Sequence, residues 1–228
     1  MLTKKIVLLL ALLLPASALA ADAGVKLDKA GTDIHNQASL QRGARNFANY
    51  CLGCHSAQYM RWNRVAADLG IGEDQLAEFL QFGGGSPHDT LQTAMPADLG
   101  EAWFGQGPPD PSPFPRSRGP DYPSTLLRGY FADPSRPTGV NNTVLAGTAM
   151  PHVLAPLQGL QRPISETRTI GGEPQQVLVG LEPGAPGELS AAEYDEFVRD
   201  TVNFLDYVGE PVKAKRERMG VWVVLFLL

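Results

Sequence analysis

The spacing of apolar and polar residues predicts a chain that is mostly helical between long irregular segments. Gly43 and Phe47 fall four residues apart on one helical face, and Ser39 precedes them as a plausible N-cap. We therefore predict a first helix over Leu40 to Tyr50. It would run directly into the polar stretch that follows Tyr50.

Later segments repeat the helical signal. A second helix is predicted over Glu73 to Phe82, where three consecutive glycines follow and end it. A short third helix is predicted over Pro123 to Tyr130. Ser190 and Glu193 form a capping box, after which apolar residues recur at helical spacing. This pattern predicts a long helix ending near Gly209, which we expect to pack its apolar face on the first helix.

Glycine and proline set the character of the remaining segments. The chain holds 24 Gly and 19 Pro, and they are dense in residues 105–123, where we predict a long ordered loop. Two short runs around Gly171 and Gly172, within residues 162–187, predict a β-hairpin. The predicted fold class is thus mostly α, with long Pro/Gly-rich loops and a small β-hairpin.

Both ends of the chain are apolar over short stretches. Residues 1–20 join a basic start, a short apolar core and an Ala-Leu-Ala pattern, which predicts a secretory signal peptide. Residues 210–218 form a basic linker, and residues 219–228 carry no charge. We interpret 219–228 as the start of a truncated C-terminal transmembrane helix rather than as a short buried strand, because a full span needs about 20 residues. Residues 21–209 would then be one exported domain.

Charge restricts the partners of this domain. The chain has a formal net charge of −5, and the predicted signal peptide removes two lysines and no acidic residue. An acidic exported domain argues against nucleic acid and permits a basic partner. Solubility alone is another reason for such a charge.

The candidate chemistry lies in the stretch NYCLGCHSAQYM, which holds the only two cysteines. Cys51-Leu-Gly-Cys54-His55 is the attachment pattern of c-type haem, in which two thioethers fix the porphyrin edge and the next residue directs its imidazole at the iron. A zinc site would need further ligands, and a thiol redox pair would need an alternating α/β context. We therefore predict one covalent haem c.

The second axial ligand is not decided by the residues alone. A methionine would suit electron transfer, but Met60 follows His55 too closely and Met219 lies in the apolar tail. Met95 and Met150 are equal candidates, with a bis-histidine site as a minor option. The histidines that could serve are His88 and His152.

Five stretches occur in one order over most of the mature chain. They are QRGARNFANYCLGCHSAQYMRWNRVAADLGI, WFGQGPPDPS, RSRGPDYPSTLLRGYFADPSRPTGVNN, MPHVLAPLQG and RMGVWVVLFLL. Together they resemble the cytochrome c1 family, the haem subunit of the quinol–cytochrome c reductase (bc1) complex, in its proteobacterial form. The family often has PPDLS where this chain has Pro111 in place of the leucine.

The resemblance implies a cytochrome c-like helical haem domain at residues 21–209. It implies thioethers at Cys51 and Cys54 and His55 as the proximal ligand, and it favours Met150 over Met95 as the distal ligand. It also places Arg118 and Tyr122 near a haem propionate, although Arg118 by itself would be taken for a solvated loop residue. The implied site residues are Cys51, Cys54, His55, Met150, Arg118 and Tyr122.

The same resemblance implies a role in electron transport without a catalytic site of the subunit's own. An electron would arrive from a Rieske iron–sulfur protein and leave to soluble cytochrome c, within a dimeric membrane complex that also contains cytochrome b. The domain would face the periplasm on the bacterial inner membrane, held by a C-terminal single-pass anchor. The alternatives are a membrane-anchored cytochrome c serving an oxidase or dehydrogenase, a haem peroxidase with an open iron, and an assembly or structural protein that keeps haem for stability only.

Overall fold

The computed structural model describes residues 26–228, which form nine helices and six strands. The helices are α1 (Gln37–Tyr50), α2 (Trp62–Leu69), α3 (Glu73–Phe79), α4 (Ala97–Phe104), α5 (Phe114–Arg118), α6 (Asp121–Arg128), α7 (Ala155–Gln158), α8 (Ala191–Gly209) and α9 (Lys213–Leu227). The strands are β1 (Ala57–Arg61), β2 (Thr90–Leu91), β3 (Tyr130–Ala132), β4 (Val140–Asn142), β5 (Gly159–Ile170) and β6 (Glu173–Pro186). The predicted signal peptide at residues 1–20 lies outside the described residues.

The strands form three separate antiparallel pairs, β1 with β2, β3 with β4, and β5 with β6. The predicted hairpin is confirmed as β5–β6, and its turn holds Gly171 at φ 63° and Gly172 at φ 91°, where other residues would be strained. It is longer than predicted, since β5 has 12 residues and β6 has 14. The other two pairs were not predicted, because strands of two to five residues are too short to show an alternating pattern. The fold is therefore a mixture of helices and small hairpins.

The core consists of two apolar clusters that share helix α8. Cluster A joins α1, β1, α2 and α3 to the C-terminal part of α8, and cluster B joins the middle of α8 to α6 and α7. Well-buried members of cluster A are Phe47, Met60, Val65, Leu69, Leu91 and Phe204. The buried members of cluster B are Ala30, Leu127, Leu154, Leu157, Tyr194, Val198 and Val202. The expected packing of the long helix on the first helix is confirmed, and α8 thereby holds both halves of the domain together.

Helix α1 begins three residues earlier than predicted. The Asn36 side chain accepts a hydrogen bond from the Ser39 amide at 3.1 Å, so Asn36 rather than Ser39 is the N-cap. The Ser39 hydroxyl is used in a tertiary contact instead, where it donates to Asp200 Oδ1 at 2.6 Å. A long-range partner has therefore taken the side chain that the local sequence suggested as the cap.

Three other boundaries differ from the prediction. Helix α3 stops at Phe79 instead of Phe82, and the loop predicted at residues 105–123 contains the short helix α5. Helix α6 begins at Asp121 and ends at Arg128, two residues earlier at each end than predicted. Proline is compatible with the first turn of a helix, where its missing N–H has no intrahelical acceptor, so a proline-rich segment can still contain short helices.

Asp200 on α8 is the centre of a buried polar contact with α1. Its carboxylate accepts from Arg42 Nε at 2.5 Å and from Arg42 Nη2 at 3.1 Å, in addition to the Ser39 hydroxyl. Asn203 donates to the same hydroxyl at 3.0 Å. A carboxylate that is only 2% exposed is tolerated here because each of its oxygens has a donor.

We expect Asp200→Ala to lower the free energy of unfolding by about 2 kcal/mol, because it leaves the Ser39 hydroxyl and the Arg42 guanidinium without their acceptor. The loss is moderated because the Arg42 side chain is 40% exposed and can turn to water. The matched control is Asp195→Ala on the same helix. The Asp195 side chain pairs with Arg128 but is 62% exposed, so this substitution should cost less than about 1 kcal/mol. Chemical denaturation of both variants tests this. Equal losses would contradict it.

Asp121 fastens the N-terminal segment to helix α6. Its carboxylate accepts from Lys29 Nζ at 2.7 Å and from the Ala30 amide at 2.9 Å, and these bonds hold the pKa of Asp121 below its ordinary value. Because the folded pKa is the lower one, this contribution to stability is present above the ordinary pKa of 3.8 and is lost as the pH falls through the folded pKa.

We therefore expect Asp121→Asn to be less stable than the unmodified protein at neutral pH, and the difference to shrink as the pH falls below about 4. Unfolding curves at a series of pH values would measure it. A difference that stays constant down to strongly acid pH would show that charge on Asp121 is not the cause.

The C-terminal segment is a helix whose residues from Met219 onward are all exposed. The alternative of a short buried strand is therefore wrong. Within residues 26–228, no helix combines the length and the apolar character needed to cross a membrane.

Candidate functional site

The Cys-x-x-Cys-His stretch is a compact turn at the end of helix α1. The Cys51 amide caps the helix by donating to Phe47 O at 2.9 Å, and the Cys54 and His55 amides both donate to Cys51 O, at 3.0 and 2.8 Å. The side chains of Cys51, Cys54 and His55 therefore project from one short turn that begins where the helix ends. The two cysteines are free thiols, and Cys51 packs on cluster A.

The pKa of the Cys51 thiol is raised to about 12, mainly because burial removes the thiol from water. A thiol that attacks disulfides needs the opposite shift, because its thiolate is the reactive form. The environment of Cys51 therefore argues against a thiol redox pair and suits a sulfur that is held in an apolar contact.

His55 is held by a partner that is far away in the sequence. Its Nδ1 lies 2.6 Å from the carbonyl oxygen of Pro109, and a carbonyl can only accept, so Nδ1 carries the proton and donates. This fixes the tautomer in which Nε2, across the ring, has a free lone pair. A histidine oriented in this way is suited to bind a metal through Nε2.

Asp110 fixes the loop that presents the Pro109 carbonyl. Its carboxylate accepts from the Gln58 amide at 2.8 Å and from the Ser112 amide at 2.8 Å, which ties the loop to strand β1 just after the turn. Sequence reasoning missed both Pro109 and Asp110 as part of the site. The run PPD was a visible signal, but the contribution of Pro109 comes from a backbone carbonyl, which every residue has.

Met95 belongs to a segment that is hydrogen-bonded to the Cys-x-x-Cys turn. Thr93 donates to Gly53 O at 2.8 Å and accepts from the Met95 amide at 3.1 Å, so Met95 follows a segment bonded to the Cys-x-x-Cys loop. The Met95 sulfur lies beside Gly100 of α4, where Pro108 also packs.

Met150 lies on the other cluster. Its side chain packs against cluster B, and its carbonyl accepts from the Tyr130 hydroxyl at 3.3 Å. Cys51 packs on cluster A and Met150 on cluster B, and helix α8 contributes residues to both clusters. Tyr50, at the end of α1, also meets Phe197 of α8 edge to face, with ring centroids 5.3 Å apart.

The two histidines considered as rival ligands have different surroundings. His88 is exposed, and its Nδ1 lies 3.0 Å from the Asn63 side-chain amide. His152 is buried and stacks flat on Tyr130, with centroids 4.6 Å apart. Burial lowers the pKa of His152 to about 4, so it is neutral. Its Nε2 has no hydrogen-bond partner among the residues described.

Arg118 and Tyr122 lie together at the junction of α5 and α6. The Arg118 guanidinium carbon is 4.8 Å from the centroid of the Tyr122 ring, a cation–π distance. Arg118 is exposed and Tyr122 half-buried, so the pair presents a positive charge at the surface. A carboxylate would find a bidentate donor there.

No cluster of three or more His, Cys, Asp or Glu side chains that could hold a metal ion occurs in the part of the chain that the structure describes. The turn fits a haem instead: it offers two thiols for covalent attachment and one imidazole whose Nδ1 is already bonded. A helix that ends in this turn and packs on a second long helix, with that turn as the site, defines a c-type cytochrome.

Comparison with known proteins identifies the family of c-type cytochromes to which the chain is related. No family model matches the chain. It is 48% identical to cytochrome c1 from Allochromatium vinosum over 95% of this chain and 88% of that protein. It is also 41% identical to the ammonia monooxygenase gamma subunit from Nitrosomonas europaea, over 98% and 90%, and 26% identical to cytochrome c1 from Rhodospirillum rubrum, over 85% and 76%. The chain belongs to the cytochrome c1 family. Its cofactor is one covalently bound haem c, and its function is electron transfer.

Proposed function

We propose that this chain receives an electron from a Rieske iron–sulfur protein and passes it to soluble cytochrome c, as the haem subunit of a quinol–cytochrome c reductase that also contains cytochrome b. The observation that carries the proposal is the turn at Cys51 to His55, with the His55 Nδ1 bonded to Pro109 O at 2.6 Å. Quinol oxidation would belong to cytochrome b, so this subunit needs no substrate pocket of its own.

Three residues of the turn would hold the haem. Cys51 and Cys54 supply the sulfurs of two thioethers, and His55 supplies Nε2 as the proximal ligand. A bound haem supplies the one-electron change between ferric and ferrous iron. The Pro109 carbonyl accepts from His55 Nδ1 and so holds the ring in the orientation and tautomer whose Nε2 would bind the iron.

Met150 is proposed as the distal ligand. Met95 belongs to the segment bonded to the Cys-x-x-Cys loop, and its sulfur lies near Pro108, beside the residue that holds His55. The sulfur of Met95 is thus already packed beside α4 and the loop that presents the Pro109 carbonyl. Met150 packs on cluster B, whose members come from other segments of the chain, which supports its assignment as the ligand. A thioether at this position favours the reduced state and suits electron transfer.

Arg118 is proposed to pair with a haem propionate. Its stacking on Tyr122 at 4.8 Å restricts the guanidinium, so less side-chain freedom is lost when a carboxylate binds. Tyr122 would lie at the same edge of the haem. Arg118→Gln would then leave the propionate without its counter-charge.

The location of the protein is part of the proposal. Residues 1–20 would be a signal peptide, residues 21–209 the haem domain, residues 210–218 a basic juxtamembrane linker and residues 219–228 the start of a C-terminal transmembrane helix. The helical form and exposure of residues 219–227 are compatible with such an anchor. The domain would face the periplasm at the bacterial inner membrane, in a complex that is dimeric.

A membrane purification tests the proposal. The tagged full-length protein should retain cytochrome b and an iron–sulfur protein and should show quinol-dependent reduction of cytochrome c. In the redox spectrum, Met150→Ala should lose the signature of sulfur ligation, whereas the matched variant Met95→Ala should keep it. Loss in Met95→Ala with Met150→Ala unchanged would reverse the ligand assignment.

A second candidate follows from the 41% identity to the ammonia monooxygenase gamma subunit. The same haem domain would then deliver electrons in a monooxygenase system instead of a quinol–cytochrome c reductase. Copurification with monooxygenase subunits, without cytochrome b and without cytochrome c reduction, would favour this candidate. The proposed roles of Cys51, Cys54 and His55 are the same in both.

A further inference from the structure

Gly100 lies buried in the middle of helix α4, where glycine is an unfavourable choice. Alanine is the better helix former, because glycine loses more backbone freedom on folding. Gly100 is not among the glycines with positive φ, so its backbone conformation gives no reason for glycine. The reason must be the space that a Cβ would occupy.

That space is filled by the loop that holds His55. A Cβ on Gly100 would lie 2.9 Å from Pro108 Cδ and 3.3 Å from Met95 Sδ. The methionine side chain is flexible and can turn away. Pro108 Cδ is bonded to the backbone nitrogen in a closed ring, so it can move only if the backbone moves.

A shift of Pro108 acts on the next residue, Pro109, whose carbonyl accepts the 2.6 Å hydrogen bond from His55 Nδ1. We propose that Gly100 is a positioning residue for the axial histidine: the absence of its side chain lets the Pro108–Pro109 backbone come close enough for this bond. The inference rests on the proposed role of His55 as proximal ligand.

The bond has a measurable effect on the metal. A hydrogen bond donated by Nδ1 to a carbonyl makes the imidazole a stronger donor to iron and stabilises the ferric state. Weakening it should raise the midpoint potential and change the spectroscopic signature of the histidine ligand. A purely structural role of Gly100 would change the unfolding curve and leave both of these readouts unchanged.

The test compares Gly100→Ala with Gly107→Ala in the full-length protein with its haem attached. Gly107 lies just before Pro108, and a Cβ there would have no atom of residues 26–228 within 4 Å. We expect Gly100→Ala to raise the midpoint potential and to shift the ring resonances of the axial histidine, while Gly107→Ala keeps both. A potential in Gly100→Ala equal to or below that of the unmodified protein, together with unchanged resonances, would overturn the inference.

A double variant covers the case in which Gly100→Ala folds poorly or takes up no haem. Pro108→Ala removes the Cδ that the new Cβ would meet, so Gly100→Ala/Pro108→Ala should restore haem uptake and bring the potential back to that of Pro108→Ala alone. Absence of any rescue would overturn the inference. If the unmodified protein itself carried no histidine-ligated haem c, the proposed function would have failed, and the two failures are thereby distinguishable.

Discussion

Replacing Cys51 and Cys54 together with serine is expected to give a chain that retains no haem under denaturing conditions. Only a thiol can form the thioether, and serine conserves the size of the side chain and removes that chemistry. Cys51 packs on cluster A, so a hydroxyl in place of its sulfur would add an unpaired polar group to an apolar contact.

Haem staining after denaturing electrophoresis measures the covalent attachment. Each single cysteine variant keeps one possible thioether and should retain a weaker signal than the unmodified protein. Ser56→Ala, next to the turn, is the control and should keep the full signal. Haem that stayed attached in the double cysteine variant would mean that the attachment is not through thioethers, since the chain has no other cysteine.

Replacing Gly43 with alanine is expected to destabilise the helical core strongly, with a loss of about 3 kcal/mol in the free energy of unfolding. Helices α1 and α8 cross at this residue. An added Cβ would meet the backbone carbonyl oxygen of Asp200 and would lie 2.7 Å from Phe204 Cβ. The Asp200 backbone cannot yield, and neither can the Phe204 Cβ, which is bonded directly to its own backbone, so the helices must move apart. The Phe47–Phe204 ring contact at 5.7 Å and the bonds to Asp200 would weaken with them.

Thermal or chemical unfolding of the holoprotein measures this loss. Gly220→Ala in α9 is the matched control, because Gly220 is also a helical glycine and a Cβ there meets no atom of the described residues within 4 Å. It should be neutral or slightly stabilising, as the helix propensity of alanine predicts. A gain of stability at both positions would show that α1 and α8 do not pack as closely as the structure has them.

The confirmed predictions of helix caps and turns rest on neighbours in the sequence. Ser190 and Glu193 cap each other within one helical turn, and α8 begins at Ala191 and ends at Gly209 as its periodicity predicts. The β5–β6 hairpin follows from the glycines at its turn. The prediction of Ser39 as a helix cap was wrong because Asp200, 161 residues away, takes its hydroxyl. Short-range patterns cannot show such a competition.

The sequence by itself determined the class of cofactor and the order of the attachment residues, since Cys51, Cys54 and His55 lie within five residues and this spacing is the attachment pattern of haem c. It also indicated the family, through motifs read in order. Only the tertiary structure decided which carbonyl holds His55, 54 residues away, and why Gly43 must lack a side chain. The physical reason is range: a turn or a cap is set by bonds within a few residues, whereas these contacts exist only after α1, α8 and the proline-rich loop have packed together.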